Sequence, residues 1–214
     1  MRLSELLKTV DPVRFYGLKA EQNGHISDIR NSENSDPDAG FLLSPDPEIS
    51  SIHYRAQDVH PGGLFVAIKG LVADGHNFID EALAKGASAV VTQKPVKSES
   101  IIIEVENTRK ALAAISVRFF KNPSEKLFLI GITGTNGKTT TAFLIEQILH
   151  RTGIHVGVIG TLNYRYAGKT FENSMTTPES FDLQKILAEM LDNGVTHVVM
   201  EVSSHALDLY RVHQ

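Results

Sequence analysis

The chain has 214 residues, 42% of them hydrophobic and 21% charged, the balance of an ordinary globular protein with one large or two small domains. Its net charge of −4 supplies no basic excess of the kind that displaces counterions from nucleic acid, so no nucleic-acid partner is expected. The absence of cysteine excludes disulfides, thiolate zinc sites and cysteine nucleophiles, and suits a reducing cytoplasm.

The opening MRLSELLKTV is too short and too charged for a secretion signal or a membrane span. Leu3, Leu6, Leu7 and Val10 follow the i, i+3, i+4, i+7 spacing of a short amphipathic helix, with Pro12 just past its end. Residues 21–50 are polar and rich in turn formers and read as a long surface loop.

From Ile52 onwards the pattern changes. Gly62 and Gly63 precede an apolar strand over 64–68, followed by the loop KGLVADGH. A helix capped near Asn77 carries Phe78, Ile79, Ala82 and Leu83 and ends at Gly86. Strands are expected at 89–91 and 101–103. A helix capped by Asn107 then runs through Leu112, Ile115 and Phe119 and is stopped by Asn122-Pro123. Strands alternating with helices predict a small α/β domain over 1–123, with ligand contacts in loops at strand ends.

The second domain, 124–214, starts at a hinge over Pro123-Ser124. Leu127 to Ile132 is a short apolar run with the pattern of a parallel strand covered on both faces. Gly134, Thr135, Asn136 and Gly137 form a tight turn, and Lys138, Thr139 and Thr140 open a helix whose apolar side is Leu144, Ile145, Ile148 and Leu149. A glycine-bearing turn feeding a helix N-terminus offers free N–H groups and a positive dipole end to phosphate. Lys138 adds a point charge, and the Thr139 hydroxyl is placed for a magnesium ion. The general phosphate-loop pattern calls for glycine where Ile132 stands; here the glycine is one residue earlier, at Gly131.

Val156 to Ile159 is the next strand. Tyr164 to Tyr166 and Lys169 to Phe171 flank Ala167-Gly168 as a hairpin. Thr177 as cap and Pro178 as first residue start a helix lined by Leu183, Ile186, Leu187, Met190 and Leu191 and ended by Gly194; the Thr176-Thr177 pair reads equally well as caps or as ligand contacts. The last strand, His197 to Val202, carries Glu201 at its end, either an acid holding magnesium beside a nucleotide or a solvent-facing strand end. Ser203-Ser204-His205 follows without the strained turn of a hydrolase nucleophile. Arg211 is either an anion clamp or a surface charge.

GITGTNGKTTT, SMTTPES and MEVSSHALDLYRV, in this order and spacing, resemble the Mur ligases of bacterial cell-wall synthesis, and within them the type that adds the third peptide residue. GLFVAIKGLVADGHNFIDEALAKGASAVV resembles the N-terminal domain of that type, and the resemblance covers about residues 51–214. It implies a UDP-substrate-binding α/β domain followed by the first part of a mostly parallel ATPase domain. The implied reaction is ATP-dependent amide synthesis in the cytoplasm: the D-glutamate carboxylate of UDP-N-acetylmuramoyl-L-alanyl-D-glutamate becomes an acyl phosphate, which the amine of a diamino acid attacks. By position, Gly134 to Thr140 bind ATP phosphates, and Lys138 stabilises charge in transfer. Thr139 and Glu201 hold Mg2+, with His205 supporting the metal site. Thr176, Thr177, Ser203 and Arg211 contact the UDP-muramoyl substrate. The uridine end lies near Tyr54, Arg55 and the loop Leu71, Val72 and Ala73.

The chain departs from the family in two places. Family members often show Asp-Ser-Arg where this chain has His53-Tyr54-Arg55. The chain also stops at Gln214, where the family continues through the rest of the ATPase domain and an amino-acid-binding domain, so a fragment without amide-forming activity of its own is expected. Residue patterns alone leave open a folylpolyglutamate-type or other Mur-type ligase, a P-loop kinase or NTPase, and a non-catalytic nucleotide-binding module.

Overall fold

The structure, a computed structural model, describes residues 1–16, 45–70, 72–96 and 98–213. Most of the loop expected over 21–50 lies outside these residues, as does Leu71. The chain divides into two units, Met1–Ile115 and Ser116–Gln214.

In the first unit the amphipathic N-terminus is helical, α1 (Leu3–Leu6) followed by a single tighter turn. Leu3, Leu6, Leu7 and Val10 are all buried, as their spacing requires. Beyond the expected end of this helix, Pro12 opens a strand that sequence reasoning missed, β1 (Pro12–Tyr16). Then come β2 (Ser51–His53), β3 (Gly63–Val66), α2 (Ile79–Ala84), β4 (Ala89–Thr92), β5 (Ile101–Val105) and α3 (Thr108–Phe119), the last crossing the division between units. The sheet order is β1-β5-β4-β3-β2; β2 to β5 run parallel and β1 closes one edge antiparallel. Every residue of β3 and β4 is buried, which is why they read as continuous apolar runs. Phe65, Val90 and Ile102 pack with Ile79 and Ala82 of α2 in the core.

Two boundaries differ from expectation. The strand read over 64–68 ends at Val66: Ala67 N still donates to Val91 O at 2.9 Å, but Ile68 O already accepts from Gly75 N in the following loop. The helix expected to be capped near Asn77 is preceded by a tight turn, Gly75–Phe78, whose cap is Asp74, with its carboxylate accepting from His76 N. Asn107 does cap α3, its Oδ1 accepting from Arg109 N and Lys110 N at 3.0 Å each.

The second unit comprises β6 (Phe128–Ile132), α4 (Lys138–Arg151), β7 (Val156–Ile159), β8 (Asn163–Tyr166), β9 (Lys169–Glu172), α5 (Ser180–Asp192), β10 (His197–Glu201) and the short α6 (Ser204–Asp208). The sheet order is β6-β10-β7-β8-β9. Strands β6, β10 and β7 are parallel, and β8–β9 is the expected antiparallel hairpin, turning through Ala167 and Gly168 at φ 49° and 75°. Ala142, Ile145 and Leu149 of α4 cover Val158, Val199 and Ile130. A separate cluster joins Leu183, Ile186, Leu187 and Met190 of α5 to Ile159, Val198 and Met200.

The strand read as covered on both faces is instead the edge of this sheet, and Phe128 is 62% exposed. A run of apolar residues marks a strand but does not rank it as central or peripheral. The expected apolar side of α4 is half right: Ile145 and Leu149 pack on the core, but Leu144 and Ile148 face outward and Ala142 takes the fully buried position. The start of α5 also moves. Glu179, not Thr177, is its cap, accepting from Ser180 N at 3.2 Å, and Pro178 precedes the helix.

Candidate functional site

The site of the second unit is built where β6 and β10 end side by side. Both strands are parallel, with Glu201 opposite Ile132, so the last residue of β10 comes level with the turn that leaves β6. Thr133 to Gly137 is exposed. Gly134 and Gly137 take φ of 143° and 78°, conformations that a side chain would strain. Gly137 is the cap of α4, and nothing lies within 4 Å of where its Cβ would stand, so the turn is open on that side. The first N–H groups of α4 lack intrahelical acceptors and carry the positive end of the helix dipole. Lys138 Nζ lies over the same turn, donating to Gly134 O at 2.7 Å.

Glu201 is only 2% exposed, a carboxylate withdrawn from solvent at a strand end. Three donors hold it. Thr139 Oγ1, in the first turn of α4, donates to Oε2 at 2.9 Å. Thr161 N donates to Oε1 at 3.1 Å, and Thr161 Oγ1 lies 3.2 Å from Oε2. Gly160 is required beside it, since a Cβ there would run into Oε1. Asn173 Nδ2 fixes the same segment by donating to Gly160 O at 2.9 Å.

Thr161 was not singled out from the sequence. The available signal was its place directly after a parallel strand, beside the glycine that the carboxylate crowds. Its hydroxyl also lies 3.1 Å from Thr176 Oγ1, which brings the Thr pair into the site. Thr177 is buried and is not a helix cap; its Oγ1 donates to Glu201 O at 2.9 Å and accepts from Ser203 N at 3.1 Å. Ser203 in turn caps α6, accepting from Ala206 N at 3.1 Å. Arg211 is no surface charge: its side chain is 10% exposed, 3.5 Å from the Glu179 carboxylate, and donates to Thr177 O at 3.1 Å. His205 is exposed on the first turn of α6.

In the first unit, Tyr54 and Arg55 follow the end of β2, and the loop after β3 leaves the neighbouring parallel strand at the same sheet edge. Tyr54 is half-buried, with the Arg55 guanidinium 5.4 Å from its ring centre. Val72 and Ala73 are exposed in a turn closed by Gly70 N donating to Ala73 O. Asp74 secures this turn. It accepts from His76 Nδ1 at 2.5 Å and from Lys94 Nζ at 2.9 Å, and these partners hold its carboxyl well below the usual carboxylate range, Lys94 foremost. His76 Nε2 accepts from Gln93 N at 3.1 Å, tying the turn to the end of β4. At His53, Nε2 meets Ser51 Oγ at 2.8 Å; burial lowers its pKa, and His60 adds to the effect.

A cavity of about 670 Å3 lies between the C-terminal end of α4 and the β8–β9 hairpin, lined among others by Glu146, His150, His155, Arg165 and Lys169. It includes none of the phosphate-turn residues.

The donor set suits a hard cation that keeps most of its ligands as phosphate oxygens and water: one carboxylate and one hydroxyl, all oxygen. No cluster of three or more His, Asp or Glu residues capable of holding a metal occurs among the described residues.

Two family models match the chain, the Mur ligase middle domain over residues 132–214 and the Mur ligase family catalytic domain over 48–120. The chain belongs to the Mur ligase family. It is 46% identical over 168 residues to the UDP-N-acetylmuramoyl-L-alanyl-D-glutamate--2,6-diaminopimelate ligase of Bacillus licheniformis, covering 78% of this chain and 34% of that protein. It is 48% identical over 176 residues to the ligase of the same name from Aquifex aeolicus, covering 82% and 36%. The chain thus spans about a third of the length of these curated Mur ligase relatives. A solved structure of such a ligase superimposes with a TM-score of 0.66 at 22% identity, over 77% of this chain and 34% of that one, a likeness of fold. The matched regions include every sequence-predicted contact in both units.

Proposed function

We propose that this Mur ligase chain supplies the nucleotide-phosphate site and the UDP-substrate contacts of an ATP-dependent amide ligase. The ligase adds a diamino acid, 2,6-diaminopimelate by analogy with its relatives, to UDP-N-acetylmuramoyl-L-alanyl-D-glutamate in the cytoplasm. The observation that carries this reading is the buried Glu201 carboxylate bonded to Thr139 at the start of α4. These two oxygen groups would hold a magnesium ion, which would screen the charge of bound phosphate.

In this reading the residues of 134–140 receive the phosphates of ATP, with Thr139 and Glu201 toward Mg2+. ATP and Mg2+ supply an activated phosphoryl group and screen its charge. A carboxylate is a poor electrophile, and its approach to a phosphate sets anion against anion. Lys138 and the dipole of α4 lower that repulsion and stabilise charge in transfer. Thr176 and Ser203 orient the muramoyl substrate; Thr177, buried and bonded to Glu201 O, Ser203 N and Arg211, holds their segment in place, and His205 supports the metal site from α6. The first unit holds the uridine end through Tyr54, Arg55, Val72 and Ala73, together with Leu71.

No helix among the described residues is long and apolar enough to cross a membrane. The test is calorimetry on the chain with UDP-N-acetylmuramoyl-L-alanyl-D-glutamate and, separately, with Mg·ATP. Saturable binding of both is expected. Binding of Mg·ATP with no response to the UDP-muramoyl dipeptide would replace this reading with a kinase or NTPase.

A further inference from the structure

Thr161 stands between two groups that the proposed function keeps apart, the cation-facing carboxylate of Glu201 and the substrate-facing hydroxyl of Thr176. Its Oγ1 is 3.2 Å from Glu201 Oε2 and 3.1 Å from Thr176 Oγ1. A hydroxyl has one proton to donate and two lone pairs with which to accept. Two arrangements therefore satisfy the same positions. In the first, Thr161 donates to Glu201 and Thr176 donates to Thr161. In the second, Thr161 donates to Thr176, and the Thr176 proton is free for an acceptor outside the chain.

We infer that Thr161 is a positioning residue that links cation binding at Glu201 to the direction in which Thr176 donates. This rests on the reading of the site given above. A cation drawn to Glu201 competes with the hydroxyl donors on Oε2 and selects the second arrangement. Thr176 is half-buried, and its freed proton then serves an anionic oxygen of the muramoyl substrate. The Thr161 N–H stays on Oε1 in both arrangements, and Asn173 holds Gly160 O, so only protons turn and the backbone keeps its place. Each ligand thereby raises the affinity of the other, since coupling between two sites is reciprocal.

Two measurements test this on the full chain. In the first, Mg·ADP affinity is measured across the cycle of Thr161→Val and Thr176→Val. Thr176→Val removes the acceptor into which Thr161 must turn, and should weaken Mg·ADP by about three- to tenfold, the range of one hydrogen bond. In the Thr161→Val background the same change should have no effect. Equal losses in both backgrounds would overturn the relay. In the second, Mg·ADP should strengthen binding of the UDP-muramoyl dipeptide to the natural chain and to Thr161→Ser, which retains the hydroxyl, but not to Thr161→Val. Coupling that survives in Thr161→Val would also overturn it. Because the first measurement needs no UDP ligand, a failure of the dipeptide to bind at all strikes the ligase reading while the cycle still decides the relay.

Discussion

Thr139 and Glu201 lie sixty-two positions apart in the sequence, yet their side chains meet at 2.9 Å. One belongs to the first turn of α4 and the other to the last residue of β10. The parallel pairing of β6 with β10 makes the meeting possible, because it brings the phosphate turn and the carboxylate to the same end of the sheet.

Glu201→Gln keeps the side-chain volume and removes the charge. An amide cannot accept on both ends, so one of the donors from Thr139 and Thr161 loses its partner. Hydrogen bonds to charged groups contribute about 1.5–3 kcal/mol, so magnesium-dependent ADP affinity should fall about ten- to hundredfold. Calorimetry with and without Mg2+ checks this. A variant with the natural magnesium dependence would remove Glu201 from the cation site.

Gly160→Ala tests the same carboxylate by steric means. The added methyl group would run into Glu201 Oε1, and the buried side chain has little room to give way. Overpacking of this kind costs about 1–3 kcal/mol. The expected result is a lower thermal midpoint together with weaker Mg·ADP binding. Unchanged binding would show that the carboxylate can move without loss.

Asp74→Asn should lower the stability of the first unit at neutral pH by about 1–3 kcal/mol, the worth of hydrogen bonds made by a charged group. Asp74 is held below its ordinary value by Lys94 and His76. The stability it contributes is therefore fully present above the unfolded carboxyl value near 3.9 and is lost as pH falls from there through the depressed value. Urea midpoints of the natural chain and the variant should differ at pH 7 and converge in strong acid. A difference independent of pH would argue against the ion pair.

The exposed edge of the second sheet should drive self-association. Among the described residues strand β6 pairs on one side only, and Phe128, Leu144 and Ile148 are each more than 60% exposed. An open strand edge flanked by apolar side chains is a template for pairing. Sedimentation velocity should show mass rising with concentration, and Phe128→Lys with Ile148→Glu should reduce it. A monomer at all concentrations would contradict the prediction.

The sequence made the phosphate turn legible because strand, glycines, lysine and helix start are consecutive residues. It also made Glu201 legible, as an acid closing an apolar run. Thr161 was not legible, since a threonine after a glycine at a strand end looks like any turn until β10 is placed beside β7. The exposure of β6 was hidden for a related reason: hydrophobicity reports what a strand needs to bury, while sheet order decides what it does bury. Asn77 and Thr177 were both plausible caps by residue type. Asp74 caps the turn before α2 because its carboxylate reaches back to His76 N, and Thr177 was already committed to Glu201 O and Ser203 N.

That double commitment of Thr177 bears on any attempt to redesign the protein. One hydroxyl fastens the strand that carries Glu201 to the segment that leads into α5. Libraries that vary 176–179 would therefore disturb the setting of the Glu201 carboxylate as well, and separating the two would require a replacement for that single oxygen atom.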